Sequence, residues 1–262
     1  MGVAGTGIDG RVALVTGAGH GIGRGIAYAL AREGARVVVN WSRDEAAAAH
    51  TVGRIAEAGG QAVAVKADVG EIDECKELVR RSVQAFGPVE ILVSNAGIGQ
   101  PHHIVDTPDE EWERVINVNL RATFALARAV MPSMIERQYG RVVTISSNIG
   151  FFGKGGASFA TYGASKAGLI ALTKGIAHEG APYITANAIV PGGTNRQTAD
   201  ERGEKWPPPP AHDDKFFLGW RVPLNRVGTP EDIAAAVLYF VSDAGCYVTG
   251  QSLHVSGGSY MP

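Results

Sequence analysis

The sequence predicts an α/β fold: one domain over residues 1–262, built on a doubly wound parallel sheet of about seven strands with helices on both faces. Three observations carry this expectation. Short β-branched runs alternate with longer amphipathic stretches from end to end, the pattern of parallel strands joined by crossover helices. Runs such as Val37-Val38-Val39 are apolar on both faces, as a strand covered by helices on each side must be. Glycine is also unusually frequent, with 35 in 262 residues, nearly double the ordinary share of about 7%. The glycines cluster at strand ends and helix starts, where tight turns and close backbone approaches need them.

In order, the strands are expected at Val12–Thr16, Arg36–Asn40, Ala62–Lys66, Ile91–Ser94, Arg141–Ser146, Ile184–Ile189 and Ser252–Val255. Between them, helical periodicity covers Ile22–Glu33, Asp44–Ala58, Ile72–Phe86, Asp109–Arg137, Ser158–Glu179 and Pro230–Ser242. Two helix starts are spelled out by a hydroxyl N-cap, a proline at the first helical position and a carboxylate at the third: Thr107-Pro108-Asp109-Glu110 and Thr229-Pro230-Glu231-Asp232. Only Gly192–Gly228 is irregular. Within it, Thr194–Leu224 is expected to be a mobile lid, because Trp206, Phe216, Phe217, Leu218 and Trp220 are too apolar for a solvated loop. Pro207–Pro210 would make it stiff, with hinges at Gly203 and Gly219.

Composition narrows the function. A 45% hydrophobic, 19% charged chain with a formal net charge of −2 and no basic run offers nothing to nucleic acid or a membrane surface. No apolar run approaches the roughly 18 residues that cross a bilayer, and the first ten residues do not read as a signal peptide, so a cytoplasmic protein is expected. Cys75 and Cys246 make neither a disulfide framework nor a zinc cluster and read as small buried apolar groups. His102 and His103, with no carboxylate partner in view, do not make a metal site, so no metal is expected.

The chemistry begins at the end of the first strand, in Thr16-Gly17-Ala18-Gly19-His20-Gly21-Ile22-Gly23. Glycines there let backbone approach a pyrophosphate, and the following helix presents free N–H groups and the positive end of its dipole. The spacing is Gly-x-x-x-Gly-x-Gly, set by Gly17, Gly21 and Gly23, with His20 and Ile22 between. Further along come Asp68-Val69 after the third strand, Asn95-Ala96-Gly97 after the fourth and Asn119 in the long central helix. Ser147 follows the fifth strand, Tyr162-Gly163-Ala164-Ser165-Lys166 opens the next helix, and Pro191-Gly192 follows the sixth strand.

This ordered set, spanning about residues 10–258, resembles the short-chain dehydrogenase/reductase family, including its 3-oxoacyl reductase-like and glucose dehydrogenase-like members. The resemblance implies a Rossmann-like fold and NAD(P)-dependent hydride transfer between the nicotinamide and a ketone or secondary alcohol. It implies catalytic roles for Asn119, Ser147, Tyr162 and Lys166, with Asn117 as the alternative to Asn119. Lys166 would also bind the nicotinamide ribose, and Asn119 would hold a water linking Lys166 to solvent. Ser146 is the rival to Ser147, but adjacent strand residues face opposite ways and the family's register selects Ser147.

Tyr162 and Lys166 stand one helical turn apart on one face. The ammonium, with the charge of oxidised nicotinamide, is expected to lower the phenol from its ordinary value near 10, so that Tyr162 exchanges a proton near neutrality. Cofactor contacts are expected from Gly17, His20, Gly21, Ile22, Gly23, Asn40, Ser42, Arg43, Asp68, Val69, Asn95, Ala96, Gly97, Tyr162, Lys166, Pro191, Gly192 and Thr194. The second strand ends in Asn40-Trp41-Ser42-Arg43, without the acid that would read a ribose 2′-hydroxyl. Arg43 can pair with a 2′-phosphate, so NADP is favoured over NAD.

Two departures from the family pattern stand out. The Ser147–Tyr162 interval is about two residues longer than is common in the family, and after Pro191-Gly192 Thr194 and Arg196 stand where the family often has an aliphatic residue and then a threonine. A small-molecule carbonyl or alcohol is the expected substrate, with His102, His103, Phe151-Phe152 and the proline-rich segment lining its pocket. The alternative is a catalytically silent nucleotide-binding sensor or scaffold of the same fold. Alanines and glycines on Asp109–Arg137 and Ser158–Glu179, helices through which the family pairs subunits, point to a homotetramer.

Overall fold

The structure is a computed structural model that describes residues 6–99, 102–152, 159–203, 206, 216–217 and 220–261, apart from the side chains of Phe152, Phe216, Phe217 and Trp220. Seven parallel strands form one sheet: β1 (Val12–Val15), β2 (Arg36–Trp41), β3 (Gln61–Lys66), β4 (Ile91–Ser94), β5 (Gly140–Ile145), β6 (Ile184–Pro191) and β9 (Ser252–Val255), in the order β3-β2-β1-β4-β5-β6-β9. Every residue of β1, β4 and β5 is buried, as strands covered on both faces require.

One face carries α1 (Gly21–Arg32), α2 (Glu45–Glu57) and α9 (Pro230–Val241), whose Ile26, Leu30, Ile55, Ile233 and Val237 pack on Val15, Val37 and Val93 of the sheet. The other face carries α3 (Ile72–Phe86), α5 (Ala122–Glu136) and α7 (Ala160–Gly180), packed through Leu78, Leu126, Met134 and Ile176 on Leu14, Val38 and Leu92. The chain runs outward from β1 to β3, then returns beside β1 at β4 and continues the other way. That reversal opens a crevice beyond the C-terminal ends of β1 and β4.

The predicted helix over Asp109–Arg137 is not continuous. It is α4 (Asp109–Ile116), a π-helical turn over Asn117–Arg121, and α5. Its start also differs: Pro108 stands at the N-cap, while the Thr107 hydroxyl donates back to the His103 carbonyl at 2.8 Å. Thr229 does cap α9, in a reciprocal box with Asp232 and with proline at the first position. Cys75 is buried, its thiol donating to the Val69 carbonyl at 3.2 Å and pushed up to about 11 by burial. Cys246, expected buried, is exposed, because it follows the one-turn helix after α9 on the surface. Among the described residues no helix is long and apolar enough to cross a membrane.

The stretch read as irregular holds three short elements: α8 (Ala199–Arg202) and an antiparallel pair of β7 (Phe216–Phe217) with β8 (Trp220–Arg221). Four-residue and two-residue elements carry too little periodicity to be legible in sequence. Between Ile149–Phe152 (α6) and α7 the described chain resumes at residue 159. Of the expected lid, α8 is tied down: Glu201 pairs with the buried Arg24 of α1, the Ala199 N–H donates to Glu231 of α9 at 2.6 Å, and Asp200 lies 3.5 Å from Arg54 of α2. The Trp206 indole donates to Asp232 at 3.1 Å. Pro207–Pro210, Leu218 and Gly219 lie outside the described residues.

Candidate functional site

A cleft of about 460 Å³ opens at the crevice beyond β1 and β4. Its floor is the glycine turn. Gly17 and Gly21 have φ of +61° and +57°, a region glycine enters without the Cβ penalty. Thr16 holds the turn to the loop after β4: its buried hydroxyl accepts from the Asn95 and Ala96 N–H groups at 2.9 and 3.0 Å. Asn95 returns the contact by donating its amide to the Thr16 carbonyl at 2.8 Å and the Gly17 carbonyl at 3.3 Å. Gly23 fits beneath this junction; a Cβ there would stand 2.6 Å from Asn95 Nδ2 and closer still to the Gly17 carbonyl. From the other side, Arg24 donates through Nε to the Gly19 carbonyl at 3.0 Å and to Thr51 at 3.1 Å. At the mouth of α1, His20 occupies the N-cap without a side-chain cap, so the first N–H groups of the helix face the cleft uncapped.

Gly17, His20, Gly21, Ile22, Gly23, Asn40, Ser42, Arg43, Asp68, Val69, Asn95, Ala96, Gly97 and Thr194 line this one cleft, which brings together most of the expected cofactor residues. Asn40 is a partial exception in role. It is buried, accepts from the Gly17 N–H at 3.3 Å and donates to the Val65 and Ala67 carbonyls at 3.3 and 3.1 Å, so its amide stitches β2 to its neighbours. Ser42 and Arg43 are left as the side chains able to meet a ligand there. Asp44, close enough to disturb Arg43, instead caps α2 by accepting from the Ala47 N–H at 2.9 Å. Pro191 and Gly192 do not line the cleft. The Pro191 carbonyl accepts from Asn148 N–H at 3.1 Å, and Gly192 N–H bonds Val255 at 3.0 Å.

The inner end of the cleft, at Gly97, meets the second group of residues. A Cβ on Gly97 would stand 3.3 Å from Lys166 Nζ and 3.4 Å from Asn119 Oδ1. Lys166 is buried and donates to the Ile145 carbonyl at 2.7 Å; burial lowers it to about 8. Its ammonium lies 5.7 Å from the centre of the Tyr162 ring, and Tyr162 shares a side-chain hydrogen bond with Ser147. The expected depression of Tyr162 is not found: burial raises the phenol above its ordinary value, and the Ser147 bond offsets only part of that. Ser146 is otherwise engaged, donating to the Lys166 carbonyl at 2.8 Å, which ties α7 to β5. Asn119 lies in the π-helical turn, a geometry frequent at functional positions. It accepts from the Ile98 N–H at 2.8 Å and donates to the Ile98 carbonyl and the Ser165 hydroxyl at 3.0 Å each. Asn117 caps the end of α4, and among the described residues its side chain accepts from Arg121 alone, at 3.3 Å on the surface, so it does not share this position.

His102, read as lacking a carboxylate partner, lies 2.5 Å from Glu111 because α4 brings that acid beside the loop. Phe151 packs against His254 and Tyr260, with ring centres 4.6 and 5.6 Å away. No three His, Cys, Asp or Glu side chains gather as a metal-ligand set among the described residues.

Trp41 and Arg114 are among the cleft residues missed in the sequence. Trp41 forms part of the wall beside Ser42. Arg114 of α4 holds Asp68 with two bonds from Nη2, at 2.8 and 2.7 Å. Burial alone would raise Asp68, but the Arg114 bond, the Gly70 N–H at 2.9 Å and the charges of Arg114 and Arg43 hold its carboxyl below the usual range. The available signal was spacing: Arg114 and Val118 stand four residues apart on one helical face, and both line the cleft.

The site thus joins a glycine turn that leaves a helix N-terminus uncapped to the buried Lys166 and the half-buried Tyr162 and Ser147 at its inner end. The family model for short chain dehydrogenase matches residues 11–206. The chain belongs to the short-chain dehydrogenase family. The 3-oxoacyl-[acyl-carrier-protein] reductase FabG of Staphylococcus epidermidis is 38% identical over 252 residues, covering 96% of this chain and 99% of the relative. The Escherichia coli K12 protein of the same name is 38% identical over 255 residues, with 97% and 98% covered. Among solved structures, a putative NAD(P)-dependent gluconate 5-dehydrogenase from Beutenbergia cavernae, crystallised with NADP at low occupancy, superposes with a TM-score of 0.83 at 35% identity over 98% of this chain and 99% of its own. A short-chain dehydrogenase/reductase from Mycobacterium marinum gives 0.84 at 31% identity, with 98% of both chains covered. In this short-chain dehydrogenase the doubly wound, Rossmann-like sheet is thus shared across nearly its whole length.

Proposed function

We propose that this enzyme moves a hydride between NADP(H) and a ketone or secondary alcohol, using Ser147, Tyr162, Lys166 and Asn119. The observation that carries the reading is the Ser147–Tyr162–Lys166 group standing at the inner end of the glycine-lined cleft. The residues present suit a dinucleotide: an uncapped helix N-terminus for the pyrophosphate, positive-φ glycines where side chains would intrude, and Arg43, which makes no hydrogen bond or ion pair among the described residues. Arg43 and Ser42, with no acid at the end of β2, favour NADP over NAD. The nicotinamide dinucleotide, when bound, supplies or accepts the hydride.

In the reducing direction the Ser147 hydroxyl donates to the substrate carbonyl oxygen and Tyr162 delivers its phenolic proton to that oxygen as the carbon takes the hydride. Oxidation runs the same bonds in reverse, Tyr162 accepting the hydroxyl proton. Burial holds the phenol protonated, which suits the donor role; the Lys166 ammonium and the positive ring of the oxidised cofactor favour the phenolate. Asn119, anchored to Ile98 and Ser165, fixes the turn beside Lys166 where a relay to solvent would run.

Residues 1–262 act on this reading as one catalytic domain in the cytoplasm. A homotetramer pairing through α5 and α7 is supported by Phe124, an exposed aromatic of α5, and by sedimentation it should exceed a monomer at micromolar concentration. The lid expected over Thr194–Leu224 would keep α8 fixed by its ties to α1, α2 and α9. A substrate panel starts with 3-oxoacyl thioesters and sugar acids, the classes in the names of the relatives. Purified protein with NADPH and these carbonyls, or NADP and the alcohols, should show nicotinamide absorbance changes. Tight nucleotide binding with no turnover across a broad panel would instead favour the silent sensor, a reading that the retained Tyr162 and Lys166 argue against.

A further inference from the structure

Asn148, the residue after Ser147, is buried and held at three points. Its N–H donates to the Pro191 carbonyl at the end of β6 at 3.1 Å, and its own carbonyl accepts from the Phe151 N–H at 2.9 Å. Its side-chain Oδ1 lies 3.1 Å from Nδ1 of His254, a residue of β9, two strands along the sheet from β5. An amide oxygen only accepts, so Nδ1 of the imidazole carries the hydrogen. Two rings clamp that imidazole: Phe151 edge-on, with centres 4.6 Å apart, and Tyr260 at 4.9 Å. His254 therefore meets the chain after Ser147 twice, at Asn148 and at Phe151. The other half of the Asn148 amide, Nδ2, is buried without a hydrogen-bond partner among the described residues. Packing alone would be better served by an apolar side chain, which leaves no buried donor unsatisfied. What the amide supplies here is the bond to His254.

We infer that His254 is a positioning residue: through Asn148 it fixes the backbone that aims the Ser147 hydroxyl at the substrate oxygen. This deepens the proposed function and rests on its hydride-transfer reading. Ser147 is bracketed by its neighbours. Before it, the Ser146 N–H donates to the Ile189 carbonyl at 2.8 Å; after it, Asn148 is fixed by the bonds just described. The Ser147 hydroxyl accepts from the Ile149 N–H at a long 3.3 Å, so these flanking anchors do most to set its direction before substrate arrives. Its bond to the substrate oxygen strengthens as charge builds there, and a small misalignment is therefore felt in kcat more than in substrate binding. Neither Asn148 nor His254 lines the cofactor cleft, which separates their effect from nucleotide affinity.

The test is steady-state kinetics with a carbonyl that wild type reduces, alongside calorimetric NADPH binding and thermal melts that confirm folded protein. His254→Phe keeps a ring between Phe151 and Tyr260 but removes Nδ1, whereas Asn148→Leu keeps the volume and removes the acceptor. Each should lower kcat about ten-fold, with KM and NADPH affinity within about three-fold of wild type. Both remove the same bond, so the double variant should be no slower than the slower single variant. His254→Asn, whose amide N–H can stand where Nδ1 stood, should recover part of kcat although it lacks the ring. A kcat within about two-fold of wild type in both single variants, whatever their melting temperatures, would overturn the positioning role. Losses that multiply in the double variant would overturn it too, as would a His254→Asn no faster than His254→Phe. Wild type that binds NADPH but reduces no carbonyl in a broad panel would overturn the hydride-transfer reading itself.

Discussion

Gly23→Ala places one methyl group where the structure has no room for it. The added Cβ would stand 2.6 Å from Asn95 Nδ2, 2.9 Å from the Gly17 carbonyl carbon and nearer still to its oxygen. Those atoms are not loose ends: Asn95 is bonded to the Thr16 and Gly17 carbonyls, and Gly17 N–H to Asn40. Gly53 in α2 is the matched control, because a Cβ there meets nothing within 4 Å. Both sites are helical, so each substitution gains about 0.5–1 kcal/mol of helix propensity. Gly23→Ala must also displace the turn, and overpacking costs about 1–3 kcal/mol. The melting temperatures of the two variants should therefore separate by about 2–12 °C, with Gly53→Ala the higher. NADPH affinity, measured by calorimetry, should fall about ten-fold or more in Gly23→Ala, since the backbone that cradles the pyrophosphate has to retreat. Equal melting temperatures with unchanged affinity would refute both the fit at Gly23 and the use of this turn.

Two further outcomes follow from charge. Lys166 is held near 8 against 10.5 in an exposed chain, so between those values the unfolded state binds a proton that the folded state does not, and stability rises with pH. The difference in unfolding free energy between wild type and Lys166→Met should climb by up to about 3 kcal/mol across that window in denaturant titrations, and a flat difference would contradict the burial argument. Arg43→Asp should move the ratio of kcat/KM for NADP over NAD toward NAD by about ten-fold or more, as one phosphate contact is exchanged for a repulsion; an unchanged ratio would remove Arg43 from phosphate recognition.

Long, strongly patterned elements were legible in the sequence. All seven strands of the sheet fall within a residue or two of their expected places, and the inner ones are the plainest because buried parallel strands must be continuous apolar runs. The glycine turn was legible because its glycines answer steric demands that act locally. The break in the central helix was not, since Asn117–Arg121 keeps helical periodicity while adding one residue to a turn. Nor were α8, which is set by partners distant in sequence such as Arg24 and Glu231, and the β7–β8 pair, which has only two residues a strand. At the site, residue identity showed which side chains gather but not how they are spent. Asn40 turns inward to stitch strands, Ser146 ties down α7, and Asp68 is claimed by an arginine on another helix. The Tyr162 phenol illustrates the same limit: the charge of Lys166 was readable from spacing, while the stronger effect of burial belongs to the folded chain.

The most direct test of the proposed chemistry is Tyr162→Phe, assayed for turnover with a competent carbonyl substrate and, separately, for NADPH binding. The ring and its packing against Phe159, with centres 6.1 Å apart, are preserved, so only the hydroxyl that bonds Ser147 is lost. The result expected is a fall in kcat of about 10²–10⁴-fold with NADPH affinity within a few-fold of wild type. A variant that keeps more than about a tenth of wild-type kcat, well above the loss expected for a removed acid–base group, would contradict the assignment of Tyr162 as the proton donor.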